Sequence, residues 1–443
     1  MRIKQNVCSK LWTDTNIDFR NQEIRHCCKS VGHKLSFEEM DKHGVDVFEN
    51  YELNVENKKL MLEQNKIPEH SCRLCAYNGD NAIRHSWNTW SDEFINTARP
   101  TLLTDDKVGY IEIDIGDQCD LACVYCGPWS STTWKKEQGQ KVQDKTQYAK
   151  DWTNRVIDLL VKRIDQVDKS EHLSINFLGG EPTLMPEVYT LIDSLAPVFA
   201  TFDKRVNLMF TSNINTKGPL FERLIKTIKA TKDFAYWTVG VSIENVGPRA
   251  ELVRYGLDWQ RFHNNLMELQ HHCKIALTCT HNYFSLPHFD ETLDYFFNNL
   301  TTEFNTEENG AGWLITSNCV YDNVLDPAYL EQDFVPWDRI YAKLDEYIGR
   351  GNEPAGLNSV YLHTDNMRKR VGTKQVNRRF YQYHKNISLR TPGYFEQFPY
   401  YKQTMERIEP LFQPGQPEGF GPGYFDKIWQ TPVNPSDDPK FLG

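Results

Sequence analysis

The 443-residue sequence has no apolar run near the roughly 20 residues that a bilayer-spanning helix needs. Its opening stretch, MRIKQNVCSKLW, lacks the apolar segment of a secretory signal. A basic excess is missing too: 50 Lys and Arg against 60 Asp and Glu leave a formal charge of -10. Phosphate contacts need a basic face, so this balance argues against nucleic acid as a partner. Long Ser- and Gly-rich linkers are also absent, which argues against disordered spacers. These absences predict a cytoplasmic, folded protein with no membrane partner. In that compartment thiols stay reduced, and the eleven cysteines are better suited to metal than to disulfides.

Hydrophobic residues at 40% and aromatics at 13% supply a sizeable core. The length exceeds one ordinary compact unit and fits an α/β barrel with an additional region. Cys119, Cys123 and Cys126 fall in the spacing C-x3-C-x2-C directly after a strand-like run, Tyr110 to Ile115, in which Ile111, Ile113 and Ile115 alternate with polar residues. Three thiolates leave a four-iron cluster one ligand short. The resulting open iron can bind a small molecule, by the logic that separates open catalytic metal sites from closed structural ones. Further upstream lie Cys8, the adjacent Cys27 and Cys28, and the C-x2-C pair Cys72 and Cys75. Four such ligands can close a site, and zinc or a four-iron cluster would both accept them.

From Val108 the chain alternates strand-like and helical runs, the pattern of parallel strands with crossover helices. Strands are expected near 109–115, 173–178, 205–211, 237–243, 274–280 and 312–316, and helices near 148–166, 186–200, 218–231, 259–272 and 288–299. Six such units are too few to close an eight-stranded barrel. In parallel sheets ligands sit at the C-terminal ends of strands, so each tip is a candidate. The second strand ends in Gly179, Gly180, Glu181 and Pro182, the third in Ser212 and Asn213, and the fourth in Ser242 and Glu244. On the fifth, alternation puts Thr278, Thr280 and Asn282 on one face and Ile275, Leu277 and Cys279 on the other. Cys273, Cys279 and Cys319 read as small buried hydrophobes.

The motif around Cys119, with Tyr125 as the aromatic residue before Cys126, resembles that of the radical S-adenosylmethionine (SAM) superfamily, and the likeness covers about residues 108 to 320. It implies a partial (β/α)6 barrel and a [4Fe-4S] cluster on Cys119, Cys123 and Cys126 that binds SAM. The Gly179-Gly180-Glu181-Pro182 segment resembles the part that holds the amino group of SAM. Ser242 and Glu244 lie where its ribose is bound, and Arg254 looks like the arginine that pairs its carboxylate. Ser212, Asn213 and Asn282 are further candidates for contact with SAM or substrate. The segments around Cys8, Cys27, Phe48, Met61 and Cys72-x2-Cys75 look like a twitch domain, a shortened SPASM domain. That resemblance implies a second, auxiliary iron-sulfur cluster on Cys8, Cys27, Cys72 and Cys75, placed before the core. The glycine usual ahead of the second ligand is missing, with Asn21 and Gln22 in that area, which leaves Cys27 and Cys28 as rivals.

The expected organisation is a twitch-like region at 1–105, a barrel at 106–325 and a helix-and-coil extension at 326–443. Within these, Arg84, Trp87 and Trp90 suggest a docked connection, a helix is expected over 338–348, and 410–443 reads as coil. Arg368, Lys369, Arg370, Lys374, Arg378 and Arg379 precede Phe380, Tyr381 and Tyr383, either a binding stretch for nucleic acid or an acidic peptide, or a solvated helix face beside packed aromatics. The resemblance implies an enzyme that cleaves SAM with an electron from an external donor such as flavodoxin or ferredoxin and abstracts a substrate hydrogen. A peptide or protein substrate is preferred, because the added regions can build a groove. Dehydrogenation or epimerisation of a cyclitol or sugar is the alternative, and a non-catalytic iron-sulfur or zinc protein is the alternative from another class.

Overall fold

The structure, a computed structural model, describes residues 7–27, 30–72, 109–142, 146–300, 313–320, 323–349 and 356–412. The expectations for Cys28, Cys75, Arg84, Trp87, Trp90 and the coil from 413 onward lie outside the described residues. At its centre is a nine-stranded sheet in the order β11-β10-β8-β7-β6-β4-β1-β2-β3. Its strands are β1 (Asp14–Asp18), β2 (Glu23–Arg25), β3 (His33–Lys34), β4 (Tyr110–Asp114), β6 (Ser174–Leu178), β7 (Val206–Ser212), β8 (Ala235–Ser242), β10 (Lys274–His281) and β11 (Trp313–Cys319). A separate pair joins β5 (Ala122–Cys123) to β9 (Arg254–Tyr255).

The strands exist because their side chains alternate, and the register aligns that alternation across the sheet. Ile113 stands opposite Ile17 and Phe177, while Glu112 stands opposite Asn16 and Asn176. Ile113, Phe177, Phe210 and Val239 are fully buried in one core with residues of the crossover helices. Burying each such side chain contributes roughly 1.5–3 kcal/mol. The opposite, inner face carries Glu112, Asn176, Thr238, Ser242, Thr278 and Thr280, polar and for the most part only half-buried.

The labelled helices are α1 (Glu52–Gln64), α2 (Gln147–Asp165), α3 (Pro186–Phe199), α4 (Gly218–Thr231), α5 (Trp259–Leu269), α6 (Phe289–Asn299), α7 (Trp337–Ile348), α8 (Leu357–Arg370) and α9 (Arg378–Arg390). Caps fix several starts: Thr146 accepts from the Ala149 amide, Asp258 from Arg261 and Asn377 from Phe380. The six expected strands and five crossover helices are all present. Three strands not foreseen extend the sheet from the N-terminal region. β1 runs parallel to β4, and β2 and β3 follow antiparallel.

The C-terminal region is more helical than expected, with a last helix reaching Phe412 where coil was expected from 410. Three of its basic residues serve the fold. Arg370 and Lys374 pair with the fully buried Asp326 at 2.6 and 2.9 Å, and Arg368 lies over Trp337 and Tyr341. Phe380 and Tyr383 are fully buried. Among the described residues no helix is long and apolar enough to cross a membrane.

Candidate active site at the strand tips

β4 leads straight into the cysteine loop, whose backbone is held on every side. The Cys119 amide donates to Thr132 Oγ1, and its carbonyl accepts from the Thr132 and Thr133 hydroxyls at 3.1 and 2.8 Å. β5 pairs Cys123 with Arg254 of β9, and the Val124 amide donates to Val253 O. The remaining carbonyls take side-chain donors: Ser131 on Leu121 O, Trp134 Nε1 on Cys123 O, Arg390 on Ala122 O and the Tyr383 hydroxyl on Val124 O. A buried carbonyl without a donor costs free energy, so these contacts fix the loop's course.

Two of the three sulfurs have hydrogen-bond donors nearby, and the Cys126 thiol faces Gly127 O. The Leu121 amide lies 3.5 Å from Cys119 Sγ, Asn213 Nδ2 lies 3.9 Å from the same atom, and Arg254 Nη1 lies 3.9 Å from Cys123 Sγ. Burial raises the pKa of all three thiols, that of Cys126 to about 12. Thiolates in such surroundings call for a cationic metal, and three cysteines with N–H donors near two of their sulfurs fit an iron-sulfur cluster. Among the described residues no three cysteine, histidine or carboxylate side chains are already gathered into a ligand set.

The second strand tip packs on this loop by backbone. The Gly180 amide donates to Gly116 O at 2.8 Å and the Glu181 amide to Gln118 O at 2.7 Å. A Cβ on Gly179, whose φ is +131°, would stand 2.6 Å from Gly116 O, and one on Gly180 would stand 2.5 Å from Gln118 O. Only glycine permits this approach. Glu181 is buried, and its carboxylate accepts from the Ser212 hydroxyl, the Asn213 amide, and the amide and hydroxyl of Thr183. Burial raises its pKa against the pull of those donors. Pro182 opens the short turn that follows.

Sequence reasoning passed over Asp120 and Asn215. Asp120 accepts from Asn213 at 3.1 Å and from Asn215 at 2.9 Å, tying the cysteine loop to the third strand tip. Its place inside the cysteine motif was the available signal.

At the fourth tip the structure pairs two residues expected to face SAM with each other. Arg254 grips Glu244 through Nη2 at 2.5 Å and Nε at 2.9 Å, and the Tyr125 hydroxyl donates to both carboxylate oxygens at 3.0 and 3.1 Å. Both members of the pair are buried. Burial works against the Arg254 charge, but Glu244, Tyr125 and Cys123 together outweigh it, and the guanidinium holds its proton more tightly than usual. Ser242 ends β8 half-buried on the inner face, opposite Thr278. Asn282 is fully buried and serves its own turn, donating to Thr280 O and accepting from the Phe284 amide. Such local bonds are favoured for asparagine just past a strand.

In the N-terminal region Cys8 and Cys72 share a small apolar cluster with Leu11, Trp12, Met61 and Leu62. His26, which precedes Cys27 and was passed over, stands 3.6 Å from Cys72 Sγ through Nε2 and 3.5 Å from the Tyr51 hydroxyl through Nδ1. Burial lowers the His26 pKa to about 3, with Lys10 and Lys58 adding to the effect.

Residues 113–298 match the model for the Radical SAM superfamily. No curated protein matches the sequence. Among solved structures, the chain is similar to Streptococcus suis SuiB bound to S-adenosylmethionine, at 16% identity and a TM-score of 0.35, over 72% of this chain and 65% of that one. It is similar also to SuiB bound to precursor peptide SuiA, at 16% identity and a TM-score of 0.36, over 75% and 70% of the two chains. The chain thus spans just under two thirds of SuiB in the first comparison.

Proposed function

From the match of residues 113–298 to the model for the Radical SAM superfamily, we propose a radical SAM enzyme that modifies a peptide or protein. That superfamily implies an enzyme that uses SAM and a [4Fe-4S] cluster. When bound, the two supply reductive cleavage of the SAM sulfonium to methionine and a 5′-deoxyadenosyl radical, which takes a hydrogen atom from the substrate. In this reading Cys119, Cys123 and Cys126 hold the cluster, with the N–H donors near two of their sulfurs stabilising thiolate charge. The Gly179 to Pro182 segment receives the amino group of SAM and Ser242 its ribose. Glu181 holds Ser212 and Asn213 in place around it, Tyr125, Glu244 and Arg254 brace the cysteine loop, and Asn282 shapes the fifth tip. The observation that carries the reading is the hydrogen-bonded closure of the cysteine loop onto the Gly179-Gly180 backbone.

A peptide substrate is favoured by the open inner face, where Thr316 and Asn318 of β11 are exposed and Thr278 and Thr280 of β10 half-buried. A small-molecule site would call for an enclosed pocket. The division of labour follows the three regions: an auxiliary [4Fe-4S] cluster on Cys8, Cys27, Cys72 and Cys75 within 1–105, radical chemistry within 106–325, and support of the cysteine loop from 326–443. Cys8, Cys27, Cys72 and Cys75 would hold a cluster that, when bound, would accept an electron from the substrate radical or ligate the substrate. The enzyme works in the cytoplasm with flavodoxin or ferredoxin as its donor.

The test is 5′-deoxyadenosine formation by anaerobically reconstituted, dithionite-reduced protein. Wild type is expected to form it, Cys123→Ala to form none, and Cys72→Ala to bind about four irons where wild type binds about eight. Wild type with full iron content and no 5′-deoxyadenosine would overturn the enzyme reading, and equal iron in wild type and Cys72→Ala the auxiliary cluster.

A further inference from the structure

Among the carboxylates on the inner face of the sheet that the chemistry above does not use, Asp14, Asp18 and Asp114 are paired with cations and Glu112 is not. Glu112 sits mid-strand in β4, in register with Asn16 of β1 and Asn176 of β6. One of its oxygens accepts from Asn16 Nδ2 and the other from the Tyr110 hydroxyl at 3.2 Å. Both donors are neutral. Lys10, whose charge reaches Glu112, is paired with Asp14, and Arg20 is paired with Asp114. Among the described residues no cation forms an ion pair with Glu112. Beside it Asn176, 7% exposed, donates Nδ2 to the Tyr110 hydroxyl and leaves its buried Oδ1 with no partner among the described residues.

A buried acceptor left without a donor costs about 1–3 kcal/mol. Here an orphan acceptor adjoins a carboxylate that lacks a counter-ion, and both face the chamber whose rim carries the cysteine loop. A ligand that suits this wall brings N–H donors and a positive charge. Lysine and arginine side chains have both properties.

We propose that Glu112 and Asn176 form a subsite for a lysine or arginine side chain of the peptide substrate. The proposal rests on the peptide reading above. The same register row runs through Met209 to Thr238. Ser242 lies four residues further along β8, so the subsite is about 13 Å from the SAM end of the strands at the usual rise per residue. The cation therefore belongs to a residue other than the one that loses a hydrogen. It fixes which residue of the peptide meets the radical.

The test measures binding of two short peptides to the reconstituted, SAM-loaded protein by saturation-transfer NMR. Acetyl-Ala-Lys-Ala-amide carries the cation, and acetyl-Ala-norleucine-Ala-amide is its neutral match. Wild type is expected to bind the lysine peptide and to bind the norleucine peptide much more weakly. Glu112→Gln is expected to weaken the lysine peptide about ten- to a hundredfold. Asn176→Asp is expected to tighten it, a gain that a misfolded variant does not produce. Equal binding of the two peptides, no binding of either, or unchanged lysine binding in Glu112→Gln overturns the subsite. Measuring 5′-deoxyadenosine in the same samples keeps the outcomes apart. Radical chemistry without lysine selectivity removes only the subsite, and lysine selectivity without radical chemistry removes only the enzyme reading.

Discussion

Arg254 illustrates how far a residue's role depends on its partners. A forked guanidinium suits a free carboxylate, and from the sequence the natural partner is that of SAM. In the fold, β9 sets Arg254 beside Cys123, and the fork closes on Glu244. His281 gives a case with a measurable consequence. It is fully buried against Phe289 at the end of β10, and neither ring nitrogen has a partner among the described residues. Burial lowers its pKa from the ordinary 6.5 to about 3, with His363 adding to the effect. The folded protein therefore keeps this ring neutral where the unfolded chain protonates it. Its contribution to stability is complete above about pH 6.5 and is lost progressively as the pH falls toward 3. His281→Phe retains the aromatic packing and removes the titration. The difference in melting temperature, variant minus wild type, is expected to grow as the pH is lowered from 7 to 4. A constant difference over that range would remove His281 as a source of acid sensitivity.

At the level of elements, α9 reaches across the molecule to the cysteine loop. Its Tyr383 hydroxyl meets Val124 O, and Arg390 meets Ala122 O while lying between the rings of Trp134 and Tyr255. Tyr383→Phe keeps the ring and deletes the donor, leaving the Val124 carbonyl short of one hydrogen bond in a buried setting. A loss of about 1–3 kcal/mol is expected. It should be accompanied by faster hydrogen exchange at the amides of residues 121–126 than elsewhere in the sheet. Exchange unchanged there would mean that α9 does not hold the loop. The six core strands and five crossover helices were legible because each carries its own periodicity, as Ile111 and Ile113 do in β4. β1 was not legible. In Asp-Thr-Asn-Ile-Asp the burial of Thr15, Asn16 and Asp18 depends on β4 and β2 lying alongside, which no local pattern encodes. The three cysteines and the two glycines were visible as a motif because spacing alone defines them. Asp120, Asn215, Tyr383 and His26 were not, since each acts through a partner distant in the chain.

In the whole molecule, the three regions read from the sequence share one core, and the first two share one sheet. Ile17, Phe19 and Ile24 from the N-terminal region and Phe380, Tyr383 and Tyr401 from the C-terminal region belong to the same buried cluster as the barrel strands. Trp152 of α2 donates to Leu35 O, and Arg163 of the same helix pairs with the buried Glu49. A fragment of residues 106–325 would therefore expose the β4 edge that β1 covers. Such an edge invites pairing with other chains. It would also lose both α9 donors to the cysteine loop. The fragment is expected to aggregate or to melt without a cooperative transition, whereas the full chain unfolds in one transition seen alike by far-ultraviolet circular dichroism and by tryptophan fluorescence. A soluble fragment with a cooperative melt and a reconstituted cluster would mean that the barrel folds alone. The shared core would then be an interface between independently stable units.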